Sequence, residues 1–269
     1  MDDIARFNKE RWEELANANV IYSHPALDLD SHSARKMIDP EGVLTDISNK
    51  DVLCLASGGG QQSAAFALLG ANVTVLDLSD TQLARDREAA IYHNLKIRTE
   101  QGDMRDLSRF NDDSFDIVHH EHSLNFIPDT ESVFSETARV LRVGGLYRLH
   151  FTNPYVHGVW EDWNGQGYSV KRTYTDNAEV LSDDPYWDVK SQTGDIKRVR
   201  GPKEYRHILS TVINGIIRNG FVILGLWEKL NGDPDAKPGS WEHFKSIAPP
   251  YLTLWAVYKP DTIYEQPNK

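Results

Sequence analysis

Two stretches of this chain hold residue types whose spacing suits chemistry. The first runs from Val52 to Gly60 and reads VLCLASGGG. A short apolar run that breaks into glycines before a small-residue helical pattern makes a corner where backbone N–H groups approach a ligand. Asp77 closes the next apolar run, Val73 to Leu76. A carboxylate at that place can accept both hydrogens of a ribose diol. The turn (Ser57, Gly58, Gly60) and Asp77 together point to a nucleotide-like ligand. The dinucleotide fingerprint calls for glycine or alanine at its third position, where this chain has Ser63. No lysine follows the glycines in the way a triphosphate-binding loop requires. Asp77 and its surroundings alone would also suit a tight turn with a surface acid.

The second stretch is His119-His120-Glu121-His122. It follows an apolar run, and strand ends at the carboxyl edge of a parallel sheet line a ligand crevice. Strand alternation sends His120 and His122 to one side if the strand continues that far. Three readings stay open: a metal site, a lining for a bound ligand, and a local hydrogen-bonded cluster. A metal would need further ligands from elsewhere, and the sequence offers no clean set, so none is assigned. His150, His157 and His207 are further candidates for a base at neutral pH. Cys54 sits in mid-strand and reads as a small core residue rather than a nucleophile.

The elements that must position these residues alternate. Apolar runs at 51–56, 73–76, 97–100, 115–118 and 146–151 read as strands. Helical patterns at 61–69, 79–94 and 129–141 separate most of them. That alternation implies a parallel sheet with right-handed crossovers. Two more helices are expected at 4–18 and 31–38, and Gly144-Gly145 should end the helix before the fifth strand. The rhythm breaks at 153–201, which carries Trp160, Trp163, Tyr168, Tyr174, Tyr186 and Trp187. These aromatics, with Trp12 and Tyr22, either wall an acceptor cavity or pack an inserted, partly hairpin segment over the sheet's end. Pro202 is expected to open a helix to about Asn219, before strands at 221–227 and 252–258. The organisation expected is an N-terminal helical flap (1–48), a ligand-binding core (49–152), an inserted cap (153–201), a C-terminal helix and strands (202–260) and a tail (261–269).

At 269 residues, with 40% hydrophobic and 26% charged side chains, the composition is that of a globular protein. The net charge of −11 repels phosphate backbones and anionic lipid surfaces, which disfavours nucleic-acid and membrane partners. The single cysteine excludes an internal disulfide. The opening Met-Asp-Asp does not read as a signal peptide, and no apolar run is long enough to span a bilayer. A cytoplasmic protein, monomer or homodimer, is expected.

The chain resembles the class I S-adenosylmethionine-dependent methyltransferases, in particular their small-molecule branch. The residues that carry the resemblance are Val52 to Gly60, Asp77, Gly102-Asp103-Met104, Phe115 to Val118 with Leu124, Asn125 and Pro128, and Arg139 to Gly145. It covers roughly 50–152 and 202–260. It departs at Cys54 and Ala56, where the family often has an acid and a glycine. The resemblance implies an α/β Rossmann-like seven-stranded sheet, order 3-2-1-4-5-7-6, with strand seven antiparallel and helices on both faces. It implies S-adenosyl-L-methionine as cofactor and in-line attack by an O, N or S atom of a small-molecule acceptor. Asp77 and Leu78 would meet the ribose, Asp103 and Met104 the adenine, and Ala56, Ser57, Gly58, Gly60, His120 and Glu121 the methionine portion. His122, His150 and His207 are the candidates for catalysis. Two other readings remain at this point: a nicotinamide-dependent oxidoreductase, and a non-catalytic S-adenosylmethionine-binding protein.

Overall fold

The computed structural model describes residues 1–182, 184–190 and 194–262. Seven strands form the main sheet. They are β1 (Asp51–Leu55), β2 (Asn72–Asp77), β3 (Ile97–Gln101), β4 (Phe115–His120), β5 (Leu141–Thr152), β6 (Phe221–Glu228) and β7 (Tyr251–Tyr258). Their order is 3-2-1-4-5-7-6. The first five run parallel, and β7 pairs antiparallel with both β5 and β6. The expected order and the reversed strand are both present. Register sets the site edge: Leu55 faces Leu76 on one side and His120 on the other, while Asp77 faces Gln101.

The central strands β1, β2, β4, β5 and β7 are largely buried, and their alternation feeds two cores, while the edge strands β3 and β6 are partly exposed. Leu53 and Leu55 join Val133 and Phe134 of α5 (Thr130–Val140) and Val212 and Ile216 of α6 (Leu209–Arg218). Val52 and Cys54 point the other way, to Ala34 and Ile38 on 31–38 and to Ala65 and Phe66 on 62–68. Those two helices, together with one over 3–17 and one over 80–92, precede α5 in the chain; they are α1 (Asp3–Asn17), α2 (Ser31–Ile38), α3 (Gln62–Leu68) and α4 (Asp80–Tyr92). Ser79 caps α4 by accepting the Gln82 N–H. A last helix, α7 (Trp241–Ile247), has Ser240 as N-cap and was not foreseen from the pattern.

Several boundaries differ from expectation. The helix expected from Pro202 begins at Leu209, because Tyr205–Arg206 pair instead as a short strand with Ala178–Glu179. The helix before β5 ends at Val140, and β5 starts at once, with Gly144 (φ 85°) inside it. The insertion holds an antiparallel hairpin, Tyr186–Lys190 with Ile196–Arg200. Its buried Val189 and Val199 pack on Leu15 and Val20, so the hairpin rests against α1. Of the two readings left open for the aromatics, several side chains take the second and pack the insertion down. Trp187 meets Trp12, Trp160 meets Trp241, and Tyr168 meets Phe244. The expected tail falls almost wholly outside the described residues. Among the described residues no helix is long and apolar enough to cross a membrane.

Candidate active site

The glycine turn is held by two acids. Gly58 N–H donates to Asp77 Oδ2 at 2.8 Å, and Ser79 N–H donates to Asp77 Oδ1 at 2.9 Å. Each carboxylate oxygen therefore keeps a further lone pair for a ligand. Asp77 is half-buried, and burial raises its pKa to about 6. Asp86, from the middle of α4, reaches the same turn. It accepts Gly59 and Gly60 N–H at 3.1 Å each and the Ser63 hydroxyl at 2.5 Å. Asp86 is fully buried, and burial raises its pKa to about 7. Sequence reasoning did not find Asp86; its signal was an acid two helical turns after Ser79, facing the glycines. Ala56 adopts φ 46°, a left-handed conformation in which the glycine common to the family would be relaxed.

This donor set separates the candidate ligands. A dinucleotide's pyrophosphate needs the free N–H groups of the glycine turn. Here those of Gly59 and Gly60 end on a carboxylate, which opposes an anion. An adenosyl group carrying a sulfonium has no phosphate to place, and nearby carboxylates favour its positive charge. The residues present fit S-adenosylmethionine and fit a dinucleotide poorly.

The loop after β3 is closed by ion pairs. The Arg105 guanidinium grips Asp103 (Nη2–Oδ2 2.6 Å) and also Asp2 at the head of α1 (2.7 Å). Met104 is buried in the core beside them. Leu78 is half-buried, and its carbonyl accepts from Gln101 Nε2 at 3.1 Å. Helix α1 is pinned a second time, where Glu13 accepts the Asp80 and Thr81 N–H groups at 2.8 and 3.2 Å. An acid at the first turn of α4 also complements the helix dipole.

At the end of β4 the histidine run divides. His120 turns into the core, with Nδ1 3.0 Å from the Tyr147 hydroxyl and Nε2 2.8 Å from Ser123 Oγ. With both nitrogens engaged, it can offer a ligand only its backbone. His119 packs edge-on to Phe66 on the opposite face. Burial lowers both pKa values to about 3. The strand ends at His120, so His122 does not share its side as alternation suggested. His122 lies instead with His150 and Tyr251, ring centroids 6.1 and 4.8 Å away. Its Nδ1 is buried with no partner among the described residues. Burial, then the neighbouring His150, lowers its pKa to about 4.

Glu121 N–H donates to Ser57 Oγ at 3.3 Å, tying β4 to the turn after β1. Its carboxylate meets Arg148 at 2.6 Å. Burial would raise the Glu121 pKa, but Arg148 and the histidines outweigh it and hold the value at about 2. Arg148 also approaches Glu41, which accepts from Trp255 Nε1 at 3.0 Å. His150 is bonded to Thr253 Oγ1 at 3.0 Å. His207 stands apart from His122 and His150. Its Nε2–H donates to the Leu124 carbonyl at 3.1 Å, and burial lowers its pKa. His157 pairs with Glu204 at 2.9 Å; nothing in the residue pattern marked Glu204. Among the described residues no group of three potential metal ligands converges.

A separate cleft of about 920 Å³ opens at the amino ends of the strands, between Asp51, Asn72, Arg98 and Arg109. It lies away from every residue of the glycine corner.

The comparisons agree with this geometry. A family model described as a methyltransferase domain matches residues 53–149. The "Uncharacterized methyltransferase YbaJ" of Bacillus subtilis (strain 168) is 37% identical over 196 residues, which is 72% of this chain and 74% of that protein. A "Ubiquinone biosynthesis O-methyltransferase" of Xanthomonas oryzae pv. oryzae (strain PXO99A) is 26% identical over 153 residues, 57% of this chain and 60% of that protein. The crystal structure of a putative S-adenosylmethionine-dependent methyltransferase from Listeria monocytogenes superposes with a TM-score of 0.60 at 20% identity, covering 85% of this chain and 96% of that one. With a sheet of order 3-2-1-4-5-7-6, an acid-braced glycine turn and these relatives, the chain belongs to the class I S-adenosylmethionine-dependent methyltransferases.

Proposed function

We propose that this protein methylates a small molecule at an O, N or S atom, with S-adenosylmethionine bound across the glycine turn. The observation that carries the reading is the Asp77 carboxylate, fixed by Gly58 and Ser79 with one lone pair per oxygen left over. Those two lone pairs suit the two hydroxyls of a ribose. Asp103 and Met104 would lie beside the adenine, with Leu78 next to the sugar. Ala56, Ser57, Gly58 and Gly60, with the backbone of His120 and Glu121, would meet the methionine portion.

When bound, S-adenosylmethionine supplies a methyl group made electrophilic by its sulfonium. The protein's part is to hold the reactants in line and keep water out. Helix α1, clamped through Asp2 and Glu13, and the insertion resting on it cover that edge. The aromatic ring of Tyr251 beside His122 and His150 would form one wall for the acceptor. The net charge of −11 suits a small molecule rather than a nucleic acid. A labelled-methyl screen of small metabolites, run on protein first shown to bind S-adenosylhomocysteine, tests the reading. Transfer only to nucleic acid, or to nothing while the ligand is bound, would contradict it.

A further inference from the structure

We propose that Arg148 is a positioning residue for the cofactor, and that the Glu121 carboxylate it holds receives the α-ammonium of the methionine portion. This rests on the methyltransferase reading above and adds a charge contact to that site. Four side chains stand in one row across the sheet. Cys54 of β1 faces His119 of β4, His119 faces Arg148 of β5, and Arg148 faces Trp255 of β7. The row lies on the side of α2 and α3, where Cys54 and Trp255 join one core and His119 meets Phe66.

Arg148 is the cation of the row, and carboxylates reach it from two directions. Its Nη1 donates to Glu121 Oε1 at 2.6 Å, and its Nε lies 3.5 Å from Oε2 of Glu41, in the segment between α2 and β1. Trp255 Nε1–H donates to the same Glu41 oxygen at 3.0 Å, and the guanidinium lies 6.0 Å from the centre of the Trp255 ring. Glu41 and Trp255 therefore fix one side of the planar fork, and the other side is aimed at Glu121.

The charges of this cluster do not balance. Two carboxylates share one guanidinium, and His119, 3.8 Å from Glu121 Oε1, is neutral because burial lowers its pKa to about 3. Cys54 stands where the family often has an acid, and burial pushes its thiol pKa well up, so it carries no charge. An excess negative charge in a largely buried cluster is costly until a cation joins it. Glu121 is where one can join. Its Oε1 is taken by Arg148, and its Oε2 makes no bond among the described residues. The Glu121 side chain is 22% exposed, against 5% for Arg148 and 9% for Glu41. Its backbone N–H donates to Ser57 Oγ at 3.3 Å, so the open oxygen lies within a side chain's length of the glycine turn. The other acids at the turn are engaged: Asp86 by Gly59, Gly60 and Ser63, and Asp77 by Gly58 and Ser79. A charge-assisted bond from the α-ammonium to Glu121 Oε2 brings the cluster to balance. S-adenosylhomocysteine keeps that ammonium and lacks the sulfonium, so it isolates the contact.

The test is calorimetry on the full chain with two probes: S-adenosylhomocysteine, and its deaminated analogue with hydrogen in place of the α-amino group. Wild type should prefer S-adenosylhomocysteine by about tenfold or more. In Glu121→Gln that preference should shrink to about threefold or less, because S-adenosylhomocysteine binds more weakly while the analogue holds its affinity or gains. Arg148→Lys keeps the positive charge and loses the fork. It should weaken S-adenosylhomocysteine about three- to tenfold and leave the analogue within about twofold of wild type. Should Arg148→Lys not fold, Glu41→Gln removes the contact that fixes the far side of the guanidinium, and should show the same selective loss. A residue that only supported the fold would weaken both probes alike, and that result in Arg148→Lys or Glu41→Gln would overturn the positioning role. Equal affinity of wild type for the two probes, or an undiminished preference in Glu121→Gln, would overturn the ammonium contact. Failure of wild type to bind S-adenosylhomocysteine at all would instead overturn the reading beneath it.

Discussion

Gly58 donates its backbone N–H to Asp77 Oδ2 at 2.8 Å, and the missing side chain of that glycine is what lets them approach. A Cβ at Gly58 would stand 2.9 Å from Asp77 Cγ and 2.7 Å from Gln82 Cβ. The glycine turn, β2 and the first turn of α4 therefore meet at one point. Displacing the carboxylate displaces the group that would hold the ribose.

Gly58→Ala should cost about 1–3 kcal/mol of stability through overpacking. It should weaken S-adenosylhomocysteine binding by roughly tenfold or more, since a sub-ångström shift of Asp77 misplaces two hydrogen bonds. Urea unfolding and calorimetry on the folded variant read the two effects. A fully stable variant with native affinity would show that the contact does not constrain the site.

Affinity for S-adenosylhomocysteine should fall as pH drops through about 6. Burial raises the Asp77 pKa to about 6, so below that pH one oxygen carries a proton and no longer accepts freely. Ligand hydroxyls favour the ionised form, so binding near pH 6 should release a proton. Calorimetry in buffers of differing ionisation enthalpy measures that proton directly; uptake instead of release would contradict the assignment.

Asp86→Asn should cost stability at pH 5 and cost less at pH 8. The folded Asp86 pKa is raised to about 7, above its unfolded value. Between roughly pH 4 and 7 the folded state then holds the extra proton, so this group's contribution declines as pH rises through that window. An asparagine does not titrate. Urea midpoints of the two proteins should therefore converge with rising pH, and divergence would refute the linkage.

The buried histidines act with the opposite sign. His119 and His120 titrate near 3 and His122 near 4 in the folded chain, below the ordinary value of 6.5. The unfolded chain therefore takes up protons first as pH falls below about 6.5, and stability is lost from there downward. Replacing His122 with glutamine should flatten part of that acid slope in thermal melts. An unchanged slope would mean that His122 is not held neutral.

Much of the fold was readable because strands and helices alternate with clear breaks at Gly70, Asp77 and Asp129. The strand order came from the family resemblance, since pairing of distant strands leaves no local mark. The glycine corner and Asp77 were readable because a turn and a strand end need those residue types locally. Asp86 was not, because its role depends on α4 packing back over the turn. That His120 and His122 part ways was not readable, because it turns on where β4 stops, and His122 lies beyond that end. Asp103 was placed beside the adenine by the resemblance, and the sequence does not reveal that Arg105 and Asp2 close over it. Glu204 was invisible because only the path of the insertion brings it to His157.

Calorimetric titration of S-adenosylhomocysteine into the wild-type chain and into folded Asp77→Ala decides whether an adenosyl group lies across this turn. Saturable binding to wild type, weakened about tenfold or more in the variant, is the expected result. Equal affinity in the two proteins, or no binding to either, would contradict it.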